Sequence, residues 1–212
     1  MQVLWNHGIT VLGQWMSFAE FIGQIFALTV VVLAHRRTVW SWPVQVCSNV
    51  LLFWVYTSVH LGGLAARQVV ILLLAIYGWW QWTRRRDPVF GLVVRTGTTR
   101  ERLLILGLLG VGTVAMALVL KALNASWAPW PDAAIFVGTA VAYLAQARGL
   151  VEFWLVWLAV DAVGVPLQLS SGLWFSALVY VVFAVLVVRG WLDWNRTAKQ
   201  TARVRAQALG TA

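Results

Sequence analysis

The chain has 212 residues, 61% of them hydrophobic and 11% charged, with a formal net charge of +9. Soluble domains run at roughly 45–50% apolar and about 25% charged, and helices apolar on every face must lie in lipid or in a very large core. A chain of this length cannot build that core, so a soluble globular protein is excluded.

A helix that crosses lipid needs about 20 mostly apolar residues. On that criterion the spans fall at about 18–34, 39–58, 66–82, 102–121, 132–147, 150–168 and 172–191. No Lys or Arg precedes the first apolar run, so a cleaved signal peptide is not expected and the first helix stays. Breaks such as His60-Leu-Gly-Gly and Ser170-Ser-Gly separate the spans, and a longer linker holds Arg84-Arg85-Arg86-Asp87-Pro88. The expected fold is therefore an all-α membrane protein of seven transmembrane helices embedded in a lipid bilayer.

Of the 14 Arg and 2 Lys, 14 fall on one side of this topology, in Arg36, Arg37, the 83–102 linker, Arg148 and the stretch from Arg189 to Arg205. Only Arg67 and Lys121 fall on the other. Positive residues accumulate on the cytoplasmic side, which puts the N-terminus outside and the C-terminus in the cytoplasm of a bacterial inner membrane. The same distribution argues against a nucleic-acid partner, because the chain lacks the exposed polar surface for a basic groove. The lone Cys47 allows neither an internal disulfide nor a thiolate metal site. Many of the 15 Trp fall at span ends and suit an interfacial belt: Trp15, Trp127, Trp130 and Trp174 outside, Trp40, Trp42, Trp79, Trp80, Trp82, Trp191 and Trp194 inside.

The third span closes on Gly78-Trp-Trp-Gln-Trp82 and the seventh on Gly190-Trp-Leu-Asp-Trp194. Composition predicts only about 0.1 copies of Gly-Trp-x-x-Trp, so two copies at equivalent places suggest duplication. At the same offset of 112, Trp42 aligns with Trp154, Asn49 with Asp161, and Gln68 with Tyr180. The chain then divides into a three-helix unit at 18–82, a basic linker with a connecting helix at 83–131, a second unit at 132–194 and a tail at 195–212. Units joined by one connecting helix point the same way, as parallel pseudo-repeats in a 3+1+3 layout, and such transporters hold substrate where the halves meet.

Asp161 lies midway along the sixth span, where an ionised carboxylate costs about 2.5–3.5 kcal/mol. Trp154, Trp157 and Asp161 share one helix face. Asn49 is equally deep in the second span, with Gln45 one turn before it. Trp stacking with a few hydrogen bonds suits a flat heteroaromatic ligand. Gln24, Gln68, Tyr77, Tyr143, Gln146, Gln168 and Tyr180 are further embedded polar groups that could line a path; each could equally bond a neighbouring helix. The expected substrate-binding set is Trp157, Asp161, Asn49, Gln45, Trp154, Gln68 and Tyr180. Pro43 and Pro166 could open the backbone of spans two and six. Asp87, Glu101 and Asp193 are expected to be solvated, Glu20 and Asp132 to shape an outer entrance, and Glu152 to meet basic loop residues.

Trp127-Ala-Pro-Trp-Pro-Asp-Ala, Ile135-Phe-Val-Gly-Thr, Ala145-Gln-Ala-Arg-Gly-Leu-Val-Glu-Phe-Trp154 and Asp161-Ala-Val-Gly-Val-Pro-Leu167 together resemble the PnuC family of bacterial vitamin transporters, most of all its riboflavin-transporting branch. The resemblance covers about 18–194. It implies facilitated diffusion of an unphosphorylated vitamin, trapped by a cytoplasmic vitamin kinase. The nicotinamide riboside branch carries Trp-x-x-x-Asn on its sixth helix; here the matching positions are Trp157 and Asp161. An Asp could accept the imide N–H of a flavin, or donate when protonated. Nicotinamide riboside and a proton-coupled mechanism are the alternatives, and a homo-oligomer is compatible with the sequence.

Other classes fit less well. No Gly-x4-Gly-Lys-Ser/Thr run occurs, so no ATP-driven pump is expected. The seventh span has no Lys for a retinal Schiff base. His7, His35 and His60 are scattered, with no converging acids, bases or metal ligands for an enzyme, so no catalytic residue, metal or cofactor is expected. A structural or signalling membrane protein would share the composition but would bind no vitamin.

Overall fold

The computed structural model describes residues 8–11, 14–58, 62–84, 86–87, 91–170, 174–208 and 210. Seven helices carry the fold: α1 (Phe18–His35), α2 (Ser41–Ser58), α3 (Gly62–Arg84), α4 (Thr99–Ala122), α5 (Pro129–Ala147), α6 (Phe153–Ser170) and α7 (Trp174–Ala208). Two short antiparallel hairpins accompany them, β1 (Gly8–Val11) with β2 (Gln14–Ser17) before α1 and β3 (Arg86–Asp87) with β4 (Gly91–Leu92) after α3. The expected all-α architecture holds, each hairpin being a separate two-stranded sheet beside the seven helices.

Several helices exceed their expected spans, α3 and α7 by the most. α3 starts at Gly62, four residues before the expected 66, so Arg67 lies more than a turn inside the helix and not at its end. α7 continues to Ala208 because the segment after Trp194 contains Ala, Lys, Gln and Arg, good helix formers, with no Gly or Pro before Gly210. Its 35 residues extend about 52 Å at 1.5 Å each, well beyond a hydrocarbon layer of about 30 Å. Neither Pro opens a helix: Pro43 sits in the first turn of α2, where no N–H is needed, and α6 stays helical through Pro166.

Six helices close a ring. α1 packs on α2, α2 on α3, α3 on α5, α5 on α6, α6 on α7 and α7 back on α1. α4 stands outside, leaning on α5, with Ala117 its single buried residue. Its exposed Leu103, Leu106 and Val111 suit lipid.

The basic end of the ring is closed by aromatic packing. Trp42, Trp82, Trp154 and Trp194 are each 1% exposed or less, so these four are core residues; Trp40, Trp79, Trp80, Trp127 and Trp130 remain exposed as a belt requires. Residues 112 apart make equivalent contacts here. Trp42 meets Trp82 edge to face at 5.3 Å, and Trp154 meets Trp194 edge to face at 5.9 Å. Trp82 Nε1 donates to the Gln146 carbonyl near the end of α5, and Trp194 Nε1 to the His35 carbonyl at the end of α1. Each Trp pair depends on a glycine: a Cβ at Gly78 would fall inside the Trp42 ring, and one at Gly190 inside the Trp154 ring. The Gly of Gly-Trp-x-x-Trp thus clears space for one indole, and its last Trp packs against that indole.

The linker before α4 is an ordered strap. Arg95 N donates to the Gly149 carbonyl and Val151 N to the Arg95 carbonyl, both at 3.0 Å. Glu152, on the approach to α6, accepts from Gly97 N and Arg102 Nε at 2.9 Å. Glu101 is not simply solvated, as expected, but is gripped by Arg95 through two bonds of 2.6 and 2.7 Å and closes a capping box with Thr98. That Arg95 pairing, against the opposing effect of burial and helped by the Thr98 N–H, holds the Glu101 carboxyl at about 2, far below its usual 4.5. Asp193 is likewise partnered, with His35 at 2.7 Å. Asp132 accepts from Ser126 Oγ. The side chains of Trp15, Glu20, Gln24, Asp87, Gln168 and Trp174, and the breaks at His60 and Ser171, lie outside the described residues.

Candidate functional site

The six-helix ring encloses a cavity of about 330 Å³, at the lower end of the roughly 300–1,000 Å³ typical of small-molecule sites. The seven residues expected from the sequence all line it. α6 contributes Trp154, Trp157 and Asp161 from one face, since positions three and seven residues apart point the same way. α2 contributes Gln45, Ser48 and Asn49; α3 adds Arg67 and Gln68, and Tyr180 comes from α7.

The aromatic groups are held rigidly. Trp157 stands edge to face against Tyr143 of α5 at 5.7 Å and 87°, which fixes its ring while leaving it on the cavity wall. Trp154 forms the floor, wedged against Phe153 at 4.3 Å and against Trp194. A site whose side chains are locked by packing recognises a flat ring without reordering itself.

The polar groups are less well satisfied. Gln45 Nε2 donates to Asn49 Oδ1 at 3.0 Å, which uses the amide oxygen and leaves Asn49 Nδ2 buried without a partner. Asp161 Oδ2, Trp154 Nε1, Arg67 Nε and Trp42 Nε1 are also buried without hydrogen bonds. Leaving such a group unmade costs about 1–3 kcal/mol, so a ligand that supplies partners gains that much per group. The first four of these atoms belong to residues lining the cavity, which therefore offers donors from Asn49, Arg67 and Trp154, an acceptor from Asp161, and a stacking face.

A family model described as nicotinamide mononucleotide transporter matches residues 17–196. The chain belongs to the nicotinamide mononucleotide transporter family. It is 43% identical over 206 residues to the riboflavin/roseoflavin transporter RibM of Streptomyces davaonensis, covering 96% of each chain. It is 21% identical over 220 residues to the nicotinamide riboside transporter PnuC of Escherichia coli, covering 87% of this chain and 88% of that one. The crystal structure of the vitamin B3 transporter PnuC superposes with a TM-score of 0.68 at 20% identity, over 86% of this chain and 82% of that one, and so shares the fold.

Within this family member, Tyr143 and Gln146 join the cavity as the polar pattern allowed, whereas Tyr77 is not among its lining residues and accepts from Gln81 Nε2 at 2.7 Å. Ser48 and Thr139 are additional lining residues; Thr139 donates to its own helix at the Ile135 carbonyl and so presents little free polarity. Arg67 is the residue that counting charges by loop misses. Its signal was the run Gly62–Trp82, apolar apart from Arg67, Gln68, Tyr77 and Gln81, because a cation inside such a run is costly and calls for a reason.

Proposed function

We propose that this protein is a facilitator for riboflavin, moving the unphosphorylated vitamin across the bacterial cytoplasmic membrane through the six-helix ring. The 43% relative over nearly the whole chain carries the substrate, because the site's chemistry agrees with it: a fixed Trp157 face for the isoalloxazine ring, and Asp161 as acceptor for the imide N–H. The binding set is Trp157, Asp161, Asn49, Gln45, Trp154, Gln68 and Tyr180. The two three-helix units are pseudo-repeats whose shared axis runs through the cavity, a reading supported by the equivalent Trp contacts at the 112 offset. The 14-to-2 distribution of basic residues supports an external N-terminus and a cytoplasmic C-terminus, with a cytoplasmic kinase trapping the vitamin.

Nicotinamide riboside is the second reading, favoured by the more distant PnuC relatives. Calorimetric titration of the purified full-length protein with each vitamin separates them. Binding of riboflavin alone is expected; binding of nicotinamide riboside alone would overturn the proposal.

A further inference from the structure

Among the described residues, two formally charged side chains line the cavity, Arg67 from α3 and Asp161 from α6. They do not pair with each other. Arg67 Nε and Asp161 Oδ2 are both buried without a hydrogen-bond partner, and no ion pair among the described residues includes either. Every other acid whose side chain is described holds a donor: Glu101 has Arg95, Asp132 has Ser126, Glu152 has Arg102 and Asp193 has His35. The other acids among the described side chains therefore have local partners, and the two cavity charges do not pair with one another.

The sum of these two charges sets what can enter. With Asp161 ionised it is zero, and with Asp161 protonated it is positive, so in neither state is the cavity negative. A flavin ring is neutral and rich in acceptors, with two carbonyl oxygens and unprotonated ring nitrogens within reach of a planar guanidinium. A pyridinium nucleoside such as nicotinamide riboside carries a permanent positive charge on its ring. Inside a low-dielectric cavity Arg67 opposes that charge with little screening; an ionised Asp161 offsets the repulsion and a protonated one does not, so the cation gains no net attraction in either state. Repulsion of this kind discriminates between ligands of otherwise compatible shape.

We propose that Arg67 is a specificity-determining residue that admits neutral flavin rings and rejects cationic pyridinium nucleosides by like-charge repulsion. The flavin half rests on the function proposed above; the exclusion half stands on the charge of the cavity. The role differs from that of Asp161, which supplies an unpartnered carboxylate oxygen, and from that of Trp157, which offers a stacking face.

The test uses calorimetry on the full-length protein with three ligands: riboflavin, nicotinamide riboside, and its uncharged 1,4-dihydro form. The wild type is expected to bind the dihydro form at least about tenfold more tightly than the cation. Arg67→Gln should weaken riboflavin about tenfold and close the gap between the two nicotinamide forms, whereas Arg67→Lys should keep the gap. Equal affinity of the wild type for both nicotinamide forms would overturn the proposal. So would an unchanged gap in Arg67→Gln, or failure of that folded variant to bind the cation at all. Should Arg67→Gln not fold, the gap in the wild type and in Arg67→Lys still decides. A wild type that ignores riboflavin but shows the gap would sink the flavin reading and leave the charge filter standing.

Discussion

Gly190→Ala tests whether the floor of the cavity is as tightly built as the contacts imply. The added Cβ would lie 2.5, 2.6 and 2.7 Å from Cζ2, Cη2 and Cε2 of Trp154. Ordinary carbon contacts begin near 3.5 Å, so the indole would have to retreat by about 1 Å. Trp154 is 1% exposed, with Phe153 and Trp194 packed on it, so any retreat drives the indole into the cavity whose floor it forms. Overpacking of this kind costs about 1–3 kcal/mol, against a gain of up to about 1 kcal/mol from replacing a helical Gly by Ala. Gly110→Ala supplies the control, because nothing lies within 4 Å of its Cβ position and only the gain applies. Thermal unfolding of the detergent-solubilised variants should place Gly190→Ala below Gly110→Ala by the clash alone, several degrees at about 2–4 °C per kcal/mol for a chain of this size. Shrinking the indole with Trp154→Phe should restore part of the loss in the Gly190→Ala background but not in the wild type. Equal melting temperatures for the two glycine variants would refute the argument.

The remaining predictions concern the site and the strap. Trp157→Ala should weaken riboflavin binding by about 1–3 kcal/mol, the range for a base stacked on an aromatic side chain; calorimetry reads it, and unchanged affinity in folded protein rejects the stacking role. Asp161→Asn keeps an acceptor oxygen but removes its charge and should cost about 1 kcal/mol in the same titration, the difference between a hydrogen bond to a charged group and one to a neutral group. At the strap, the Glu101 carboxyl is held at about 2 by Arg95, so it stabilises the folded state above its ordinary 4.5 and loses that contribution as pH falls through 2. The destabilisation caused by Glu101→Gln should be constant from pH 7 to about 5 and shrink below 4.5; a penalty that persists undiminished down to pH 2 contradicts the pairing.

Much of this site was legible because membrane insertion makes polarity informative. Asp161, Asn49, Gln45 and Gln68 stand out only against apolar neighbours, and all four reach the cavity for the reason that exposed them in the sequence. Helix periodicity placed Trp154 and Trp157 beside Asp161, and the 112 offset brought Asn49 and Tyr180 into the same set. What sequence reading missed arose where two explanations fit one residue. Trp42, Trp82 and Trp194 sit at span ends as a belt would, yet the glycines opposite Trp42 and Trp154 and the carbonyls of Gln146 and His35 draw them into the core. Arg67 reads as a cation at the outer end of a span until α3 is seen to begin at Gly62. Glu101 reads as solvated, although Thr98-Thr-Arg-Glu101 already has the capping-box spacing and only the Arg95 partner required the fold.

The central claim is passive movement of a flavin through the ring, and flux into proteoliposomes tests it most directly. Liposomes containing the purified chain should take up riboflavin until inside and outside concentrations match, at a rate unaffected by collapsing a proton gradient and reduced in Trp157→Ala. Absence of uptake above protein-free liposomes would contradict the transport claim. Accumulation above the outside concentration, driven by a proton gradient, would contradict the passive mechanism.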